Sequence, residues 1–179
     1  MTAASLSLGF DVYELSFESL QPARFLPFAG SAWRGALGRA LRRLVCVEGL
    51  RPCVGCSLET ACLFTRLFDP RHGGEVALLG RVDRMPPPFV LDIETPTPCS
   101  LDSGDAFGLR LVVIGSARPF APYLLRALVE GARHGVGPDR ARFTLSSLQP
   151  IKSSLPEADP APPAVEVELL TPLRVKADN

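Results

Sequence analysis

The stretch FGLRLVVIGSARPFAPYLLRALVEGARHGVGPDRARFTLSSL, Phe107 to Leu148, decides the fold. It opens on Phe107 to Ile114, where the run Leu109, Leu111, Val112, Val113, Ile114 reads as a strand. Pro119 fits the first turn of a helix. Leu124, Leu125, Leu128 and Val129 give that helix an apolar face, and Gly131 and then Gly135 mark its C-terminal end. Arg142 to Leu148 is a strand again. Strand, helix, strand is half of an α+β unit, so the upstream sequence must supply the other half.

It does. Leu6, Leu8, Phe10, Val12 and then Tyr13, Leu15, Phe17 alternate with one slip, the pattern of a strand with a bulge. Pro22 and Pro27 make an extended connection. A helix follows from Gly30–Ser31, with Ser31 as its expected N-cap. Trp33, Leu37, Leu41 and Leu44 share one face of it, while Arg34, Arg39, Arg42 and Arg43 occupy the other with no acid among them. Residues 46–85 are irregular, apart from a helical turn at Leu63–Phe68. Past Pro86, Pro87 and Pro88, Phe89 to Ile93 reads as a short strand, and Thr95 to Asp105 as a polar, turn-rich connection. The order strand, helix, strand, strand, helix, strand predicts an α+β, ferredoxin-like (RNA-recognition-type) βαββαβ domain, with a Cys-rich insertion after the first helix.

This expected domain spans residues 1–149, with the insertion at 46–85. Residues 150–163 carry five prolines and read as a linker. Residues 164–179 begin Val165-x-Val167-x-Leu169, the expected first strand of a second ferredoxin-like domain that is missing. The 179 residues are 46% apolar and 21% charged, the composition of a folded chain rather than a disordered one. Nineteen basic and nineteen acidic residues cancel, which excludes a strongly basic field over the whole protein and a polyanionic tail. Seventeen of the basic residues are Arg, the side chain whose planar fork binds oxyanions bidentately. No apolar run is long enough to span a bilayer, and Met1 to Gly9 lack the basic and apolar regions of a signal peptide. The expectation is a cytoplasmic protein with reduced thiols and no membrane partner.

Four of the five cysteines, Cys46, Cys53, Cys56 and Cys62, lie within seventeen residues as C-x6-C-x2-C-x5-C. Four thiolates can close a tetrahedral zinc site, and such a site would be structural, because no coordination position stays open. The other reading is four small buried apolar residues. Their concentration in a Pro/Gly-rich loop with little core of its own argues against that. A redox pair is disfavoured, since the C-x2-C does not follow a strand and open a helix.

The stretch from Phe28 through Trp33-Arg-Gly-Ala-Leu-Gly-Arg-Ala-Leu-Arg-Arg-Leu-Val-Cys46 resembles the first helix of CRISPR-associated repeat-processing endoribonucleases of the RAMP superfamily. The resemblance continues in order through the Cys cluster, Cys62-Leu-Phe-Thr-Arg-Leu-Phe68, Pro87-Pro-Phe-Val-Leu91, Leu111-Val-Val-Ile-Gly115 and Gly135-Val-Gly-Pro-Asp-Arg-Ala-Arg-Phe143. It implies two tandem ferredoxin-like domains that bind the repeat of a precursor CRISPR RNA and cut it without a catalytic metal. The 2′-hydroxyl attacks the adjacent phosphate and leaves a 2′,3′-cyclic phosphate. The glycine-rich loop that the family carries at its C-terminal end is expected to belong to the missing second domain. The implied partners are repeat RNA and other CRISPR subunits or a missing C-terminal domain. Two other functions fit the same residues: a non-catalytic RNA-binding subunit of a CRISPR ribonucleoprotein, or a zinc-stabilised interaction module.

The family often uses a His as general acid or base, a role that suits imidazole. Two candidates exist. His72 lies in the polar loop Asp69-Pro-Arg-His-Gly-Gly74 and is preferred. His134 falls at the C-terminus of the second helix, where the macrodipole favours a cation. Tyr13 and Tyr123 read as core residues. For RNA contact the candidates are Arg34, Arg39, Arg42 and Arg43, with Arg140 and Arg142 as a second set. The sheet carries no aromatic pair of the kind that stacks single-stranded bases.

Overall fold

A computed structural model describes residues 8–70, 75–76, 80–81 and 85–151 of the chain. In chain order the elements are β1 (Phe10–Ser19), β2 (Ala23–Phe25), α1 (Gly30–Val45), α2 (Leu63–Leu67), β3 (Glu75–Val76), β4 (Gly80–Arg81), β5 (Phe89–Ile93), β6 (Cys99–Leu101), β7 (Ala106–Ile114), a 3-10 turn at Gly115–Phe120, α3 (Ala121–His134) and β8 (Phe143–Ile151). Strands β5, β7, β1 and β8 pair in that order, and every pairing is antiparallel. With α1 between β1 and β5, and α3 between β7 and β8, this is the ferredoxin-like split βαβ arrangement. His72, residues 152–163 and residues 164–179 lie outside the described residues.

The core forms where one face of the sheet meets the two helices. Leu15 and Phe17 of β1, Phe107, Leu109, Leu111 and Val113 of β7, and Phe143 of β8 are buried on that face. They meet Trp33, Ala36, Leu37, Ala40 and Leu41 of α1 and Leu124, Ala127, Leu128 and Ala132 of α3. Trp33 is the hub: its ring lies 4.9 Å from Phe17, 5.2 Å from Phe107 and 5.4 Å from Phe143. Its indole Nε1–H is buried with no acceptor among the described residues. That costs about 1–3 kcal/mol, comparable to what burial of one large side chain returns at about 25 cal/mol per Å², and three ring contacts add to the favourable side.

The opposite face of the sheet is ordered by register. Val90, Val112, Val12 and Ile151 line up across the four strands as one apolar row. In the next row Arg110 of β7 stands between Glu14 of β1 and Asp92 of β5. Arg110 binds Glu14 at 3.1 Å and Glu94 at 2.6 Å, with Asp92 at 3.8 Å. This face therefore concentrates acids around one arginine.

Several local expectations are corrected. Helix α1 has Ala29, not Ser31, at its N-cap, and the Ser31 hydroxyl donates back to the Phe28 carbonyl at 3.1 Å. Leu44 is 45% exposed and leaves the apolar face, because α3 packs on the turns containing Ala36 and Ala40 instead. Pro119 sits in the 3-10 turn, and Pro122 takes the first turn of α3. The expected bulge exists, but at Ser16/Phe17 against β8. Strand β8 runs on through Pro150 to Ile151 on the sheet edge, where a residue without an N–H is tolerated. Three-residue β2 pairs with β6, joining two segments that read as irregular.

Gly131 does not end α3 but lies buried inside it. A Cβ there would come within 2.9 Å of the Ala36 backbone carbon and oxygen, so this glycine sets how closely α1 and α3 cross. Gly131→Ala is therefore expected to destabilise the protein by about 1–3 kcal/mol through overpacking, against the gain a Gly→Ala change in a helix would ordinarily bring. The midpoint of urea unfolding monitored at Trp33 fluorescence checks it.

Candidate nucleic-acid interface

The close crossing of α1 and α3 leaves a cleft one turn farther along both helices. Ala36 and Ala40 of α1 and Gly131 of α3 form its small-residue floor, and Arg39, Arg43, His134, Gly135 and Arg140 complete the lining around about 150 Å³. Three arginines and a histidine meet there with no acidic side chain. Among the described residues, none forms an ion pair with Arg39, Arg43 or Arg140.

The loop after α3 brings Arg140 to this place. Gly135 has φ +111°, and a Cβ there would lie 2.6 Å from the Arg140 carbonyl oxygen, so the position requires glycine. Val136 and Ala141 then exchange backbone hydrogen bonds of 2.9 and 3.0 Å and close the loop. His134, the last residue of α3, has Nδ1 2.7 Å from the Glu130 carbonyl oxygen. A carbonyl only accepts, so Nδ1 carries the hydrogen and donates it, and Nε2 is left free to exchange a proton.

A second hollow adjoins the first and shares Arg39. It is lined by Phe25 to Ala29, Ser31, Ala32, Gly35, Gly137 and Pro138, around about 370 Å³. Phe28, 68% exposed, stands beside the start of α1 with a positive φ of 68°. The two hollows meet at Arg39 and are together termed the groove, with an exposed aromatic lining one and basic groups lining the other. Phe28 was not among the residues singled out from sequence. Its signal was an aromatic between Pro27 and the start of a helix, outside any apolar periodicity.

The other candidates are placed elsewhere. Arg34 stacks over the rings of Phe68 and Phe89, at 4.9 and 5.2 Å from their centroids. Arg42 donates to the carbonyls of Leu50 and Arg51 and so fastens the Cys-rich loop to α1. Arg142 reaches Gln21 Oε1 at 3.4 Å and does not line the groove. Tyr13 packs against the core, and burial, then the charge of Asp11, raise its hydroxyl pKa against the lowering effect of Arg118. Tyr123 is 48% exposed on α3 rather than in the core.

Cys46, Cys53, Cys56 and Cys62 are all unbridged and half-buried, and all four line one cavity of about 240 Å³. No three His, Cys, Asp or Glu side chains among the described residues are gathered closely enough to hold a metal ion as they stand. Cys99 lies on β6, packed in part against the core, and burial raises its thiol pKa. Among the described residues no helix is long and apolar enough to cross a membrane.

No curated protein sequence matches the chain. Among the solved structures that match is the crystal structure of the Csm3-Csm4 subcomplex in the type III-A CRISPR-Cas interference complex, with a TM-score of 0.42 and 14% identity, over 81% of this chain and 77% of that one. Residues 8–159, which take in every strand of the sheet and both of its helices, match the family model AF_1859_N, described as an N-terminal domain, and the chain belongs to that family.

Proposed function

We propose that the chain binds RNA along the groove between α1, α3 and the Gly135–Arg140 loop, and that the RNA is the repeat of a CRISPR transcript. The observation that carries the reading is the meeting of Arg39, Arg43 and Arg140, without acidic partners among the described residues, beside the exposed ring of Phe28. Arginines in this setting neutralise phosphates, and an exposed ring accepts a stacked base. The resemblance of residues 25–145 to repeat-processing endoribonucleases supports the choice of RNA. The opposite sheet face, with Glu14, Asp92 and Glu94 around Arg110, repels a polyanion. RNA is thereby directed to the helical side.

Cleavage would follow from the same geometry. His134 Nε2 takes the proton of the 2′-hydroxyl, the 2′-oxygen attacks the adjacent phosphorus, and the bond to the 5′-oxygen breaks. The products are a 2′,3′-cyclic phosphate and a 5′-hydroxyl, whose oxygen takes a proton from water. The arginines stabilise the extra charge on the phosphorane. A second reading, an RNA-holding subunit that does not cut, is favoured by one observation: among the described residues His134 is the groove's one imidazole.

Replacing Arg39, Arg43 and Arg140 together by Ala should weaken repeat-RNA binding and flatten its salt dependence. Three lost phosphate contacts remove about 2 from the slope of log K against log salt for a single strand. Fluorescence anisotropy across a salt series measures both, with Phe28→Ala expected to cost about 1–3 kcal/mol of stacking. Unchanged affinity in the triple variant would remove the groove from RNA binding.

With repeat RNA in EDTA, His134→Ala should slow formation of the cyclic-phosphate product by about 10²–10⁴-fold, far more than it weakens binding. Binding without any cleavage by the unaltered chain would select the holding role. Equal cleavage by the variant would remove His134 from the chemistry.

A further inference from the structure

We propose that Cys46, Cys53, Cys56 and Cys62 bind one zinc ion as a structural tetrathiolate, closing the loop between α1 and α2. The argument starts from where the thiols are. Cys46 is the C-cap of α1, with its N–H bonded to the Arg42 carbonyl at 2.9 Å. Cys62 is the N-cap of α2, with its N–H on the Leu58 carbonyl at 2.7 Å. Cys53 and Cys56 flank a tight turn, closed by the Cys56 N–H on the Cys53 carbonyl at 3.2 Å, in which Gly55 takes φ +74°. Two helix ends and one turn thus present four thiols to one cavity.

Hydrogen bonds tie the backbone that carries them to both helices. Glu59 N–H donates to the Cys56 carbonyl at 3.0 Å, and the buried Thr65 hydroxyl bonds the carbonyls of Glu59 and Cys62 at 2.5 and 2.8 Å. Arg42 holds the other side through Leu50 and Arg51. Each thiol turns about one side-chain bond, and since no three of the four are gathered closely enough as they stand, binding one ion draws the sulfurs together by side-chain rotation and movement of the loop. The rest of the cavity wall includes Val45, Leu58, Leu63 and Phe64, which shield a site from water.

Core packing does not account for these cysteines. None belongs to the buried cluster, none is bridged, and the loop contributes no residue to the core before Leu63. Four soft sulfur donors select zinc or an iron–sulfur cluster over hard cations. A closed four-sulfur set leaves no position for substrate, so the ion is structural. The cavity is lined by Arg42 and Arg51 and by Glu48 and Glu59, so its charged lining is balanced apart from the thiols.

The full chain purified without chelator should contain one zinc per molecule by elemental analysis. The Cys53→Ser/Cys56→Ser variant should contain none. Because that variant could fail to fold, a second measurement uses the unaltered chain, stripped of metal under reductant and titrated with Co²⁺. Saturation at one cobalt, with the intense ligand-field and sulfur-to-metal charge-transfer bands of a tetrathiolate, is the expected result. Iron with acid-labile sulfide in the purified protein would overturn the proposal. So would a metal-free chain whose four thiols react freely or have paired as disulfides. The Arg39→Ala/Arg43→Ala/Arg140→Ala variant should keep its zinc, since none of those residues lines the cysteine cavity.

Discussion

Trp33 holds the two layers together. One indole ring from α1 reaches Phe17 of β1, Phe107 of β7 and Phe143 of β8, while Phe25 of β2 packs on Phe107 at 4.9 Å and on Phe143 at 6.0 Å. Strand β1, both its neighbours and the separate β2–β6 pair thus share one contact set with the first helix. Fixing Trp33 fixes the rotation of α1 about its own axis. That rotation decides which side chains face α3. Ala36 and Ala40 face it because Trp33, Leu37 and Leu41 are committed to the sheet, and the small residues let Gly131 approach the α1 backbone. The groove is a consequence of this packing: where the helices touch through small residues, the long side chains of Arg39 and Arg43 are left at the rim.

Net charge zero hides an uneven distribution of charge over the described residues. Acids gather on the outer sheet face, where Glu14, Asp92 and Glu94 surround Arg110. Such half-exposed pairs contribute little to stability, but they set the sign of the potential on that side. On the helical side Arg39, Arg43 and Arg140 meet without a counter-charge among the described residues. A concave wall of low dielectric concentrates the field of those charges more than a flat surface would. Whole-chain arithmetic hides such a division, because it adds groups that never share a solvent boundary.

Most of the sheet and both of its helices were legible in the sequence, since long strands and helices with a regular apolar repeat carry their own signal. The β2–β6 pair was not: three residues give too short an alternation to read, and Ala23 to Phe25 stood in a Pro-flanked connection. The arginines of α1 show a subtler limit. A helical repeat places Arg34 and Arg42 about 80° apart and Arg39 and Arg43 about 40° apart, which read as one basic face. The structure divides them. Arg34 finds Phe68 and Phe89, far along the chain, and Arg42 turns to Leu50 and Arg51 in the irregular loop just after the helix, where no periodic pattern encodes the approach. Gly131 was misread for the same reason, because its neighbour is the backbone of Ala36, not the residues beside it in sequence.

Arg42 also explains why a cysteine-rich loop sits at this end of α1. A helix C-terminus carries unpaired carbonyls and a partial negative charge, which favours basic residues in the last turn, and α1 has Arg42 and Arg43 there. Arg43 turns to the groove, whereas Arg42 turns back to bind the loop that follows. Adjacent residues of one turn thus serve opposite sides of the helix. The loop in turn steadies α2 and Phe68, whose ring fills the space that a side chain at Gly38 would occupy on the outer flank of α1. Anything that orders the loop therefore presses on α1 from the flank opposite the groove.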